Sequence, residues 1–155
     1  MVEEKEYLTK EKHEELIKEL DHLKKTKRKE VADNLEYAKS MGDLSENAEY
    51  QEARELQATI EERINKLESI LKSAVIMTAH HGAMADIGAT VIVEKGADKK
   101  QITYKIVGSE ESDISSGKIS NHSPLGIALI GKKKGDAFTF TTPNGKTTYK
   151  IVDVK

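Results

Sequence analysis

The sequence predicts an α+β protein in two parts: a long antiparallel coiled-coil helical hairpin over residues 1–77, and a compact, mostly antiparallel α+β domain over residues 78–155. Three observations carry this. Of ten glycines only Gly42 precedes residue 80, and both prolines, Pro124 and Pro143, lie beyond 120. A stretch with a single breaker reads as long helix interrupted once. Apolar residues in that stretch recur at three- and four-residue steps, whereas beyond residue 80 they gather into short β-branched or aromatic runs punctuated by glycine.

In the first arm the stripe is Leu16, Leu20 and Leu23, then Val31, Leu35 and Ala38. In the second it is Ala53, Leu56, Ile60, Ile64, Leu67, Leu71 and Ala74. Both are narrow seams flanked by Glu, Lys and Arg, as in a coiled coil. Lys27 falls on the first seam, which predicts looser packing midway along the hairpin. An arm of about thirty residues, at about 1.5 Å each, is about 45 Å long. The junction to the second part is AHHGAMAD (79–86). AVIM just before it and ATVIVE, QITYKIV, AFTFTT and TTYKIVDV beyond it read as strands. TPNGK (142–146) reads as an Asn-Gly hairpin turn. SPLGIALIG (123–131), opening with Ser then Pro, reads as a short helix with its cap and first residue.

Composition excludes several classes. The 155 residues are 37% apolar and 34% charged, enough for one or two small soluble domains. No run of eighteen apolar residues spans a membrane, and the charged opening MVEEKEYLTKEKHEEL lacks a signal-peptide core. Zero cysteines exclude disulfides and thiolate metal sites and fit a cytoplasmic location. Residues 1–78 carry 14 Lys+Arg against 19 Asp+Glu, net −5, and residues 79–155 carry 11 against 8, net +3. Neither half is basic enough for autonomous duplex DNA binding.

The chemistry concentrates in GDLSENAEY (42–50), where one glycine precedes Asp43, Glu46 and Glu49. Local structure offers one explanation: Gly42 closes the first helix in a positive-φ conformation, Asp43 caps the second, and Glu46 completes a capping box. That leaves Glu49 unexplained. Carboxylates at the end of a thin hairpin have no core to tune their pKa, so they are poor general acids. They are good oxygen ligands for Mg²⁺, which takes one or two carboxylates and fills its other positions with water and phosphate. Such a site is incomplete without a partner.

GDLSENAEY followed by QEAREL resembles the coiled-coil tip of the GreA family of bacterial transcript cleavage factors. YLTKEKHEELIKELDHLK resembles that family's opening helix, IVGSEESDISSGKISNHSPLGIALIGKKKGD (106–136) its second-domain signature, and KTTYKIVDV its closing strand. The resemblance covers nearly the whole chain. It implies an FKBP-like second domain and a monomeric factor that docks on bacterial RNA polymerase and passes its hairpin through the secondary channel. There it would stimulate the polymerase's own Mg²⁺-dependent hydrolysis of the nascent RNA 3′ end in backtracked complexes. The family's two catalytic carboxylates fall on Asp43 and Glu46, which would help hold a shared Mg²⁺, with no cofactor tightly bound to the factor alone.

Around them Ser45, Asn47, Glu49 and Tyr50 are candidate RNA or polymerase contacts. Tyr50 has stacking on a base or packing on the facing helix as its alternatives, the second favoured. Lys39 and Arg54 fall where the family carries basic residues, suited either to RNA phosphates or to surface ion pairs. The cluster KKTKRK (24–29) reads as a solvated face more than an RNA contact. Ser123 and Pro124 match the family's polymerase-docking loop and also suit helix capping. Lys29, where many members have proline, and His122 depart from the family pattern. The D-x-S-E-N tip is of the cleavage-stimulating kind, and Leu44 favours the GreA type over GreB. A channel-binding module without cleavage is the main alternative. Peptidyl-prolyl isomerase chemistry needs an aromatic-lined pocket, and residues 79–155 supply only Tyr104, Phe138, Phe140 and Tyr149. His80 and His81 adjoin without further spaced ligands, and His13-Glu14 lacks the second histidine of a zinc protease motif.

Overall fold

The computed structural model describes residues 4–43, 46–78, 80 and 82–155. The chain divides into two compact units, one built on Glu11–Ala74 and the other on Lys5–Lys10 together with Val75–Lys155.

The first unit is the hairpin. Its outgoing arm is helix α1 (Lys10–His22), a π-helical turn (Leu23–Lys27) and helix α2 (Arg28–Ser40); its return arm is α3 (Ala48–Ser73). The π turn falls where the apolar stripe takes four-residue steps from Leu23 to Lys27, Val31 and Leu35. Those steps outrun 3.6 residues per turn, and a wider turn absorbs the excess. Lys27 itself is exposed and pairs with Glu30 at 3.1 Å. Below the tip, Val31, Leu35, Ala53, Ile60 and Ile64 form one buried cluster, with Leu20, Leu23 and Tyr50 packed partly against it. Two seam positions differ from expectation. Ile70 is buried where Leu71 is only partly so, because an α-helical stripe drifts against a strict heptad. Leu56 is 45% exposed and lines a surface groove between the arms.

Strand β1 (Glu6–Leu8) opens the second unit and pairs with β2 (Ala74–Ile76). The opening segment is therefore not helical throughout. Thr9 donates through its amide (3.0 Å) and hydroxyl (2.7 Å) to the Glu111 carboxylate, and the helix starts only at Lys10. The main sheet comprises β3 (Thr90–Lys95), β4 (Lys100–Val107), β5 (Lys118–Ser120), β6 (Ala137–Thr142) and β7 (Gly145–Val154), in the order β5-β4-β3-β7-β6. Only β4 and β5 run parallel. Val91, Val93, Ile106, Ile119, Tyr149 and Ile151 meet Leu129 of the short helix α4 (Pro124–Leu129) in the core. The β6–β7 turn centres on Pro143-Asn144, with Gly145 (φ 124°) already paired with Thr142. Proline suits the first central position of a turn and pushes the glycine one place on, so Asn-Gly is not the central pair.

Candidate functional site

The acidic turn joins α2 to α3. Helix α2 ends conventionally, with Met41 N donating to Ala38 O at 3.1 Å, and Gly42 then takes φ 125°, where a side chain would be strained. Helix α3 does not begin at Asp43. Its cap is Asn47, whose Oδ1 accepts from Tyr50 N at 3.0 Å. The capping box expected from Asp43 and Glu46 is absent, because both residues precede the cap. Asp43 and Glu46 are exposed, and only Glu49 lies in the first turn of α3, where a carboxylate suits the positive end of the helix dipole. Neither of the two leading carboxylates is the cap of α3. Leu44 and Ser45 lie outside the described residues.

The cap has a second function. Asn47 Nδ2 donates to Ala38 O at 2.6 Å, reaching back across the turn to the last carbonyls of α2. Tyr50, one turn into α3, is half-buried against the hairpin cluster. Among the described residues no three His, Cys, Asp or Glu side chains are grouped so as to hold a metal ion.

In the second unit Ser123 caps α4: its Oγ accepts from Gly126 N at 3.1 Å and donates to Ser120 O at 2.6 Å. Pro124 is exposed at the first helical position, and Ile127 beyond it is 63% exposed.

The models for the two halves of one family match this chain: "Transcription elongation factor, N-terminal" over residues 6–76 and "Transcription elongation factor, GreA/GreB, C-term" over residues 80–155. The chain belongs to the GreA/GreB family. Transcription elongation factor GreA of Geobacillus kaustophilus is 44% identical over 158 residues, covering all of both chains. GreA of Streptococcus sanguinis is 42% identical over 155 residues, covering 98% of this chain and 97% of that one. GreA factor homolog 1 (Gfh1) of Thermus thermophilus is a solved structure with 28% identity, a TM-score of 0.46, and coverage of 98% of this chain and 99% of that one. Membership in the GreA/GreB family makes the chain a transcription elongation factor rather than a free-standing enzyme.

The remaining candidates sort by their partners. Lys39 and Arg54 are exposed and, among the described residues, ion-paired with none, which leaves their charge available to a ligand of this GreA/GreB tip. The basic cluster behaves oppositely. Lys24 pairs with Glu68, Lys25 with Asp21 (2.8 Å), and Arg28 holds Glu61 through two bonds of 2.8 and 2.9 Å. The guanidinium hydrogen bonds keep the Glu61 carboxyl below its ordinary range. Most of that cluster is thus a neutralised face of the hairpin. The aromatic side chains of the second unit are engaged as well. Phe138 stacks on Tyr149 at 5.5 Å, Phe140 meets it edge-on at 6.5 Å, and Tyr104 packs on the same core. These four side chains, all those of residues 79–155, pack on the sheet core. Sequence reasoning missed the exposure of Tyr37 (67%) and Met41, which flank the tip on α2 and its end. It also missed the capping role of Asn47, although Asn three residues before Tyr50 and ahead of a long periodic run was a visible cap signal.

Proposed function

We propose that this chain presents its acidic turn to the active site of bacterial RNA polymerase through the secondary channel and stimulates cleavage of the nascent RNA 3′ end in backtracked complexes. The observation that carries this is that Asp43 and Glu46 are exposed on the turn joining the two arms and both precede the Asn47 cap of α3, so the hairpin displays two carboxylates at its end. The oxygen donors suit Mg²⁺, and these two side chains would hold an ion shared with the polymerase. When bound, such an ion lowers the pKa of an attacking water and stabilises charge on the leaving oxygen. Asp43 and Glu46 bring negative charge and fixed oxygens to that position; Lys39 and Arg54 are suited to RNA phosphates beside it. Ser123 and Pro124, with Ile127 exposed next to them, fit a contact with the channel rim. The factor would act as a monomer in the cytoplasm.

The competing reading is occupancy of the channel without cleavage. Stalled, backtracked elongation complexes separate the two. Wild type should release a 3′ RNA fragment, and Asp43→Ala/Glu46→Ala should bind equally well but leave the RNA uncut. Equal inertness of both proteins, with both bound, would favour the module that only occupies the channel.

A further inference from the structure

We infer that Asn47 is a positioning residue for the acidic turn, one whose carboxamide locks the two helix ends together and so fixes where Asp43 and Glu46 point. This rests on the cleavage reading above and goes beyond it, because Asn47 touches neither metal nor RNA in this role.

A helix leaves its last carbonyls and first amides without internal partners. One side chain here serves both kinds. Oδ1 accepts from Tyr50 N in the first turn of α3, and Nδ2 donates to Ala38 O in the last turn of α2. Both carboxylates lie in the chain between Ala38 and Asn47, whose ends the second of these bonds ties together. The Asn47 backbone is also engaged, its carbonyl accepting from Gln51 N at 3.1 Å. Asn47 is only half-exposed, whereas Asp43 and Glu46 on the loop are exposed. The closure lies at the base of the stretch that carries Asp43 and Glu46. Closing a short loop restricts the conformations its residues sample, and a displacement of about 1 Å in a catalytic group can cost about a hundredfold in rate.

The dual role separates Asn47 from an ordinary cap. Serine and aspartate cap helices as well as asparagine does. Serine is too short to span to Ala38 O, and aspartate lacks the N–H to donate. If capping were the whole role, Asn47→Ser and Asn47→Asp would behave as wild type.

The test uses the full-length protein and backtracked polymerase complexes. Cleavage rate at saturating factor and half-saturating factor concentration are measured separately. The Asn47→Ser protein should lose about five- to tenfold in maximal rate, on the order of one hydrogen bond's worth of positioning. In the free protein, the wild-type Asn47 side-chain amide protons should exchange slowly in NMR spectra, and the backbone Tyr50 amide should remain protected in Asn47→Ser. Unchanged maximal rate in both variants, or a rapidly exchanging wild-type Asn47 side chain, would overturn the inference. Failure of wild type itself to promote cleavage would overturn the underlying reading, while slow exchange at Asn47 would still report the lock.

Discussion

Asn47 and Ser123 perform the same act in different surroundings. Each starts a helix by accepting from the amide three residues on, and each donates at 2.6 Å to a carbonyl upstream. At Ser123 the carbonyl belongs to Ser120, at the end of a core strand, and the helix it starts buries Gly126 and Leu129. At Asn47 the carbonyl belongs to a helix end, and the stretch it encloses includes the exposed acids Asp43 and Glu46. The same bond geometry therefore supports the fold in one place and a display in the other. Substitutions near Ser123 should be read in stability, and those near Asn47 in activity.

The largest effect should come from Gly126→Ala. A Cβ there would lie 2.0 Å from Ser120 O, inside backbone that cannot yield without moving α4 off β5. We expect a loss of about 3 kcal/mol or more in urea unfolding, the range for overpacking with backbone displacement. Wild-type stability would show the helix to be less tightly seated than the comparison requires. Next, Ser123→Ala removes cap and clamp together and should cost about 1–2 kcal/mol by the same measurement.

Asn47→Ser retains the cap, so its cost in stability should stay below about 1 kcal/mol even though cleavage falls. A loss as large as that of Ser123→Ala would erase the distinction between the two sites. The smallest effect belongs to the hairpin shaft. Glu19 accepts two bonds from Arg63, at 2.7 and 3.0 Å, and these hold its carboxyl below the ordinary range. A depressed folded-state pKa contributes stability that is complete above the unfolded value, about 4.3, and is lost as pH falls through the lower folded one. Because the pair is about one-third exposed, Glu19→Gln should cost under about 1 kcal/mol at neutral pH and make acid unfolding less steep. Steeper acid unfolding in the variant would contradict the sign.

What could be read from the sequence follows from which forces are local. The two arms, the break at Gly42, the long strands of the sheet and the Ser123-Pro124 helix start all rest on periodicity or on backbone preferences of single residues, and each is found. The elements that escaped depend on distant partners. Glu6–Leu8 and Lys118–Ser120 are three-residue strands that exist because β2 and β4 lie beside them. The cap was ambiguous because Asp43, Ser45 and Asn47 are all good capping residues within five positions. Only the carbonyl of Ala38, nine residues back, distinguishes Asn47. The acids themselves were legible, but that both precede the cap was not.

The first strand has a consequence for the order in which the molecule can be completed. Thr9 meets Glu111 across 102 residues, and a side chain at Gly108 would strike the Tyr7 carbonyl at 1.9 Å. During synthesis Glu6–Leu8 leaves the ribosome before either arm of the hairpin, yet its seat on the second unit does not exist until residues past 108 have followed. Contacts so far apart in sequence form slowly, and the nascent chain carries this strand without its complete seat until Gly108 and Glu111 have been made. A fragment beginning at Val75 would lack that strand altogether, and would be a poor substitute for the intact protein in any binding experiment.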